Sequence, residues 1–82
     1  MGKRYPPLDR DQVETILKNL NFYCKRQPAT SHAQWEGYTK GVRRIVTVGH
    51  LKSRKEKYGR KLLGKMIQQT GLSKKEFYSY LY

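Results

Sequence analysis

The sequence predicts a small α+β domain, in which a three-stranded antiparallel sheet carries helices on one face. The chain has 82 residues, which is enough for one modest hydrophobic core. Its apolar residues are clustered: two clusters have the spacing of an amphipathic helix, and the run between them is rich in β-branched residues. Such clustering argues against a disordered basic tail. We expect a flexible arm over residues 1–8, because Pro6 and Pro7 disfavour helix, and one domain over residues 9–82.

The first helix is predicted from its start signal, its apolar face and its end. Asp9 and Asp11 are candidate N-caps, and each is followed three residues later by Gln12 or Glu14, the spacing of a capping box. Asn21 suits the left-handed position that ends a helix. The apolar face has residues at helical spacing: Val13, Ile16, Leu17 and Leu20.

Three strands are expected to follow. Residues 22–27 favour the first strand, which Pro28 ends, and residues 31–35 favour the second. Gly37 and Gly41 are expected to bracket a turn, and residues 42–48 form a β-branched third strand. We expect Cys24 to pack in the first strand as a small apolar residue.

The third strand carries apolar residues on both faces. Alternation places Arg43 with Ile45 on one face, and Arg44 with Val46 and Val48 on the other.

Two helices complete the predicted order. Residues 61–70 carry an apolar stripe that Gly71 closes as a C-terminal glycine. Ser73 and Glu76 have capping-box spacing and predict a short extra helix at the C-terminus. Three residues of this last segment are expected to dock on the core: Phe77, Tyr80 and Leu81. The resulting α-β-β-β-α order is also that of double-stranded RNA-binding domains, so we expect a dsRBD-like two-layer fold.

Charge indicates a nucleic-acid partner. The chain has 18 Lys and Arg residues against 6 acids, a formal net charge of +12 and a pI near 10.1. No basic amphipathic helix with bulky anchors favours acidic lipid, and no segment is apolar enough for a signal peptide or a membrane span. With only one cysteine, Cys24, no internal disulfide can form. We expect a cytoplasmic protein that is a monomer when free.

Five short motifs, within a match that spans roughly residues 9–77, occur in the order found in one known family. They are Leu20-Asn21-Phe22, Lys25-Arg26-Gln27, Ser31-His32, Val46-Thr47-Val48-Gly49-His50 and Gln69-Thr70-Gly71-Leu72-Ser73. In this respect the chain resembles the HicA (YcfA-like) toxins of HicA–HicB toxin–antitoxin pairs, which are mRNA interferases with a dsRBD-like fold. In the family's Gly-Ser-His-His motif, this chain has Thr30 for the glycine and Ala33 for the second histidine.

The resemblance implies that His32 is the catalytic residue of an endoribonuclease that an acidic HicB-like antitoxin neutralises. An imidazole can remove a proton from an attacking hydroxyl or water, or donate one to the leaving oxygen. Ser31 and His50 are candidates for catalytic support. Two histidines, one cysteine and no clustered carboxylates make a poor metal-ligand set, so we expect no metal and no cofactor.

The RNA-binding residues are expected among the cations. Lys25, Arg26, Arg43 and Arg44 are placed on neighbouring strands near His32, and a basic segment continues the surface through Lys52, Arg54, Lys55, Lys57, Arg60 and Lys61. Trp35 and Tyr38 can stack on unpaired bases, although a tryptophan more often packs in a core.

Two other functions remain open from the residues alone. One is a non-catalytic module that binds double-stranded RNA or DNA through the sheet and the basic loop. The other is a basic structural protein of a larger assembly.

Overall fold

The computed structural model describes residues 5–26, 33–49 and 56–81. The elements follow in the order α1 (Arg10–Asn19), β1 (Tyr23–Arg26), β2 (Ala33–Thr39), β3 (Val42–Val48), α2 (Arg60–Thr70) and α3 (Lys74–Ser79). The strands form one antiparallel sheet in the order β1-β2-β3. The predicted α+β class, with its three-stranded sheet and short C-terminal helix, is confirmed.

The helices and the core lie on one face of the sheet. Alternate residues of β2 and β3 point into this core, including Trp35, Val46 and Val48. Helix α2 packs against β3, and α3 packs against α2. The rest of the core comes from the apolar faces of the helices and the segments next to them: Leu8, Val13, Ile16, Leu17, Phe22, Tyr58, Leu63, Met66, Ile67, Phe77 and Tyr78.

Both ends of α1 form as the sequence predicts. The side chain of Asp9 accepts a hydrogen bond from the backbone N–H of Gln12 at 2.8 Å, and the Gln12 side chain accepts one from the Asp9 N–H at 3.0 Å. This reciprocal pair is a capping box, and it selects Asp9 over Asp11 as the N-cap. At the other end, Asn21 has a φ of 65°, the left-handed conformation expected of it.

The turn between β2 and β3 is tighter than predicted. Strand β2 continues through Gly37 to Thr39, and only Lys40 and Gly41 form the turn, with φ values of 54° and 76°. Two successive residues with positive φ are typical of a two-residue hairpin turn that matches the twist of the strands. Gly37 is therefore a strand residue, and the ring of Phe22 lies directly against its Cα.

Residues 5–8, which belong to the arm expected over residues 1–8, pack against the domain; residues 1–4 are outside the described residues. Leu8 is fully buried, and its carbonyl accepts a hydrogen bond from the backbone N–H of Tyr58 at 2.9 Å. The ring of Tyr5 lies 4.7 Å from that of Tyr78, whose hydroxyl donates to the Pro6 carbonyl at 2.5 Å. The prolines exclude helix here, but they do not prevent packing.

The C-terminal helices confirm most of the sequence signals. Gly71 ends α2 with a φ of 74°, and Ser73 and Glu76 form the capping box of α3. Phe77 is buried as expected, but Tyr78 rather than Tyr80 is the second aromatic residue in the core, and Tyr80 is 39% exposed.

Cys24 is exposed rather than packed in the core. It lies on β1, an edge strand of only four residues.

Candidate nucleic-acid interface

The residues expected to carry catalysis fall outside the described part of the chain. These are Ser31, His32 and His50, together with three cations of the basic segment, Lys52, Arg54 and Lys55. The described residues that adjoin the two histidines are Ala33, which follows His32 in the chain, and Gly49, which precedes His50. The positions of Ala33 and Gly49 in the sheet therefore show which strands lead into the two segments that contain the histidines.

Ala33 and Gly49 lie at the same end of the sheet. Ala33, the first residue of β2, is the register partner of Val48, the last residue of β3. Gly49 follows directly, and both Ala33 and Gly49 are buried. Arg26, the last residue of β1, pairs with Gln34 at this same end. The two chain segments that contain the histidines are thus attached to neighbouring strand ends.

The start of α2 is anchored at this end of the sheet as well. The Tyr58 hydroxyl donates a hydrogen bond of 2.6 Å to the Gly49 carbonyl, and burial raises the pKa of this tyrosine to about 12. Leu62 lies so close that a Cβ on Gly49 would be 3.3 Å from its side chain. Tyr58 and Leu62 together hold the basic start of α2 beside the end of β3.

Three exposed cations surround this helix start: Lys57, Arg60 and Lys61. Gly59 is the N-cap and provides no side-chain hydrogen bond, and the first turn contains no acidic residue. The positive end of the helix dipole therefore adds to the positive side chains instead of being offset by a carboxylate. We call Ala33, Gly49, Lys57, Arg60 and Lys61 the strand-end site; its charge favours a phosphate group.

Arg43 and Arg44, which were expected on neighbouring strands near His32, do not lie near the strand-end site; His32 itself is outside the described residues. Arg43 pairs with Tyr38 and Arg44 with Gly37, next to the hairpin turn. Tyr38 is five residues along β2 from Ala33, which corresponds to about 17 Å of strand. Local sequence signals predicted neither the register nor the full length of β2, and the late turn places both arginines away from the strand end.

The two arginines also have different roles. As alternation predicts, they point to opposite faces of β3. Arg44 is half-buried on the helix side, where its Nε donates to the Thr39 hydroxyl at 3.0 Å. Its guanidinium lies against Gly71, leaving no room there for a Cβ. Arg44 thus joins the sheet to the end of α2, and this contact points to a structural rather than an RNA-binding role.

The opposite face of the sheet carries a network of charges centred on Glu36. Arg43 donates two hydrogen bonds to the Glu36 carboxylate, from Nε at 2.8 Å and from a terminal nitrogen at 3.2 Å. The Lys25 ammonium lies 3.1 Å from the same carboxylate. Lys25 lies where the register of β1 against β2 shifts, between Cys24 and Arg26. These two partners, Arg43 first, lower the pKa of Glu36 to about 2.

Aromatic residues flank this network. Tyr23 is 55% exposed and Tyr38 is 66% exposed, whereas Trp35 is buried on the core side of β2 and is not available for stacking. The Trp35 indole N–H has no hydrogen-bond partner among the described residues. We call the side chains on this side of the sheet the outer face: the exposed Tyr23, Lys25, Gln34, Tyr38, Arg43 and Ile45, and the buried Glu36 that they surround.

Sequence reasoning missed Glu36, Tyr23 and Tyr58 as important residues. Alternation of Gln34, Glu36 and Tyr38 along one strand would have placed these three on a common face, once β2 was extended past Gly37. No local signal identifies Tyr58, because its partners Gly49 and Leu8 are distant in the chain.

No cluster of three or more histidine, cysteine, aspartate or glutamate side chains suited to a metal ion occurs within residues 5–26, 33–49 and 56–81. None of the helices in these ranges is long and apolar enough to cross a membrane. Comparisons of the chain with protein families, with curated proteins and with solved structures found no match.

Proposed function

We propose that this protein is an RNA-cleaving toxin, a metal-independent endoribonuclease that acts on mRNA with His32 as its acid–base residue. The observation that carries the proposal is the strand-end site. Ala33 and Gly49, the neighbours of the two histidines, lie at adjacent strand ends beside the basic start of α2. His32 and His50 are thus the chain neighbours of two residues of a surface whose charge favours phosphate, and this supports the proposal.

The chemistry requires proton transfer and charge stabilisation. His32 removes a proton from the attacking hydroxyl or water, or protonates the leaving oxygen, and a second histidine, His50, can take the complementary role. Lys57, Arg60 and Lys61 favour the negative charge that develops on the phosphate. Ser31 can hold a phosphate oxygen through its hydroxyl.

The resemblance to the HicA toxins supports the same proposal. Its motifs match in order, and the α-β-β-β-α arrangement is the one expected of a dsRBD-like fold. The family's second histidine position is Ala33 here, a residue that is 3% exposed at the start of β2. His50, which follows Gly49 in the chain, is then the candidate for the second imidazole. By the same resemblance, the toxin is cytoplasmic and an acidic HicB-like antitoxin binds its basic surface.

Expression in a bacterial host tests this proposal. The wild type should arrest growth and fragment mRNA, whereas His32→Ala should do neither. Co-expression of an acidic antitoxin should restore growth. Equal toxicity of the wild type and His32→Ala would contradict the role of His32.

The alternative is a non-catalytic nucleic-acid-binding module, and the exposed cations and tyrosines of the outer face favour it. This alternative predicts that purified wild type binds RNA without cleaving it. It also predicts that His32→Ala changes neither property. A cleavage assay in the presence of EDTA separates the two functions, because the proposed enzyme retains its activity there.

A further inference from the structure

The outer face of the sheet has no packing partner among the described residues. The helices cover the opposite face, where Trp35, Val46 and Val48 are buried. Tyr23, Tyr38 and Ile45 are large side chains that nevertheless remain exposed on the outer face, with 55%, 66% and 39% of their surface accessible. Exposed aromatic residues grouped on one side of a sheet indicate a binding surface.

The two tyrosines are held at a defined separation. Tyr23 on β1 is the register partner of Glu36 on β2, and Tyr38 is the next residue of β2 on the same face. Tyr23 and Tyr38 are therefore diagonal neighbours, about 7–8 Å apart at their backbones. The Glu36–Arg43 ion pair lies beside them, since Glu36 is the register partner of Tyr23 and Arg43 that of Tyr38.

The charges of this face are largely compensated. Glu36 binds both Lys25 and Arg43, so the three residues together carry one net positive charge. An acidic protein surface would gain little from such a face, whereas the strand-end site offers it the three cations Lys57, Arg60 and Lys61. Aromatic rings and the flat guanidinium of Arg43 present π-surfaces instead, and these complement the flat, uncharged faces of nucleobases.

We infer that the outer face binds unpaired bases of single-stranded RNA by stacking on Tyr23 and Tyr38. This inference rests on the proposed function for its ligand, and it assigns a second contact surface to that RNA. Lys25 and Arg43 stay fixed on Glu36 and frame the two rings. Strand β2 leads from Tyr38 to Ala33 over about 17 Å, so one RNA strand can contact both the outer face and the strand-end site.

The test compares RNA with and without bases. The probes are a fluorescein-labelled 12-nucleotide oligoadenylate and an abasic ribose–phosphate oligomer of the same length. Fluorescence anisotropy is measured with the His32→Ala protein, so that binding is read without cleavage. The double substitution Tyr23→Ala/Tyr38→Ala is compared with Tyr23→Phe/Tyr38→Phe, which keeps both rings. Thermal melting verifies that each variant is folded.

The alanine variant should lose affinity for oligoadenylate by at least about fivefold for each ring, because stacking on aromatic side chains contributes on this scale. Its affinity for the abasic oligomer should not change, and the phenylalanine variant should bind both probes as the parent does. Unchanged binding of oligoadenylate by the alanine variant, or an equal loss for both probes, would overturn the inference and leave the proposed function standing. Failure of the wild type itself to bind RNA would overturn both.

Discussion

The hydrogen bond between the Tyr58 hydroxyl and the Gly49 carbonyl joins the end of β3 to the start of α2, and Tyr58→Phe removes it. The bond is 2.6 Å long, and both residues are buried. Phenylalanine keeps the ring in the core but leaves the carbonyl without this donor. An unsatisfied buried polar group costs about 1–3 kcal/mol. For a domain of this size, that loss lowers the melting temperature by about 4 °C or more.

Tyr78→Phe is a matched control, because its hydroxyl also donates to a backbone carbonyl, that of Pro6, at 2.5 Å. Both substitutions should destabilise the protein in thermal and urea unfolding. Only Tyr58→Phe should slow RNA cleavage at a temperature at which both variants are folded, because only Tyr58 contacts the strand-end site. An unchanged melting temperature for Tyr58→Phe would refute the reasoning about this bond, and equal cleavage rates would refute its link to the site.

The dependence of stability on alkaline pH gives a second measure of the contribution of Tyr58. The pKa of Tyr58 is raised from 10.0 to about 12 in the folded protein, so the unfolded chain loses this proton first as the pH rises. The wild type should therefore lose stability between about pH 10 and pH 12, and Tyr58→Phe should lose less over this interval. Urea unfolding at several pH values measures the difference.

Two further substitutions test the sheet. Gly37→Ala would place a Cβ 2.3 Å from the Phe22 ring, and we expect a loss of about 1–3 kcal/mol in urea unfolding from this overpacking; a stability equal to that of the wild type would show that Phe22 can move aside. Glu36→Gln frees Lys25 and Arg43 from their carboxylate, so RNA affinity should rise and become more sensitive to salt in a titration. Because the folded-state pKa of Glu36 is about 2 against 4.5 for the ordinary group, its stabilisation is present above pH 4.5 and is lost as the pH falls towards 2. Acid unfolding of Glu36→Gln should lack this contribution, and an acid limb like that of the wild type would contradict it.

Local signals predicted the helix ends well. The capping boxes at Asp9 and Ser73, the left-handed Asn21 and the C-terminal Gly71 all form as the sequence indicates. Each depends on residues within a few positions of one another, where side chains bond to the adjacent backbone.

Features that depend on distant contacts could not be predicted in the same way. Gly37 looks like a turn residue, but its lack of a Cβ accommodates Phe22, fifteen positions earlier in the chain. Residues 5–8 look like an arm, but Leu8 and Pro6 find partners in Tyr58 and Tyr78. The conformation of Gly37 and of residues 5–8 depends on packing against residues that are distant in the chain, so a short stretch of sequence cannot predict it.

The candidate site also combines features that local sequence predicts with features that depend on distant contacts. Residue types and net charge predicted a basic surface, and alternation correctly separated Arg43 from Arg44. Register was needed to show that both arginines lie near the hairpin turn, whereas Lys57, Arg60 and Lys61 lie at the end that adjoins the histidines. The pairing of Glu36 with Lys25 and Arg43 also depends on register between strands.

The rate of RNA cleavage by purified wild type and His32→Ala is the most direct measure of the central claim. The assay uses a labelled single-stranded RNA in EDTA, with protein in excess, and far-ultraviolet circular dichroism verifies that both proteins are folded. We expect wild type to cleave and His32→Ala to be slower by at least about a hundredfold, the usual contribution of a general acid or base. Equal rates for the two proteins, or no cleavage by either, would contradict the claim that His32 performs the chemistry.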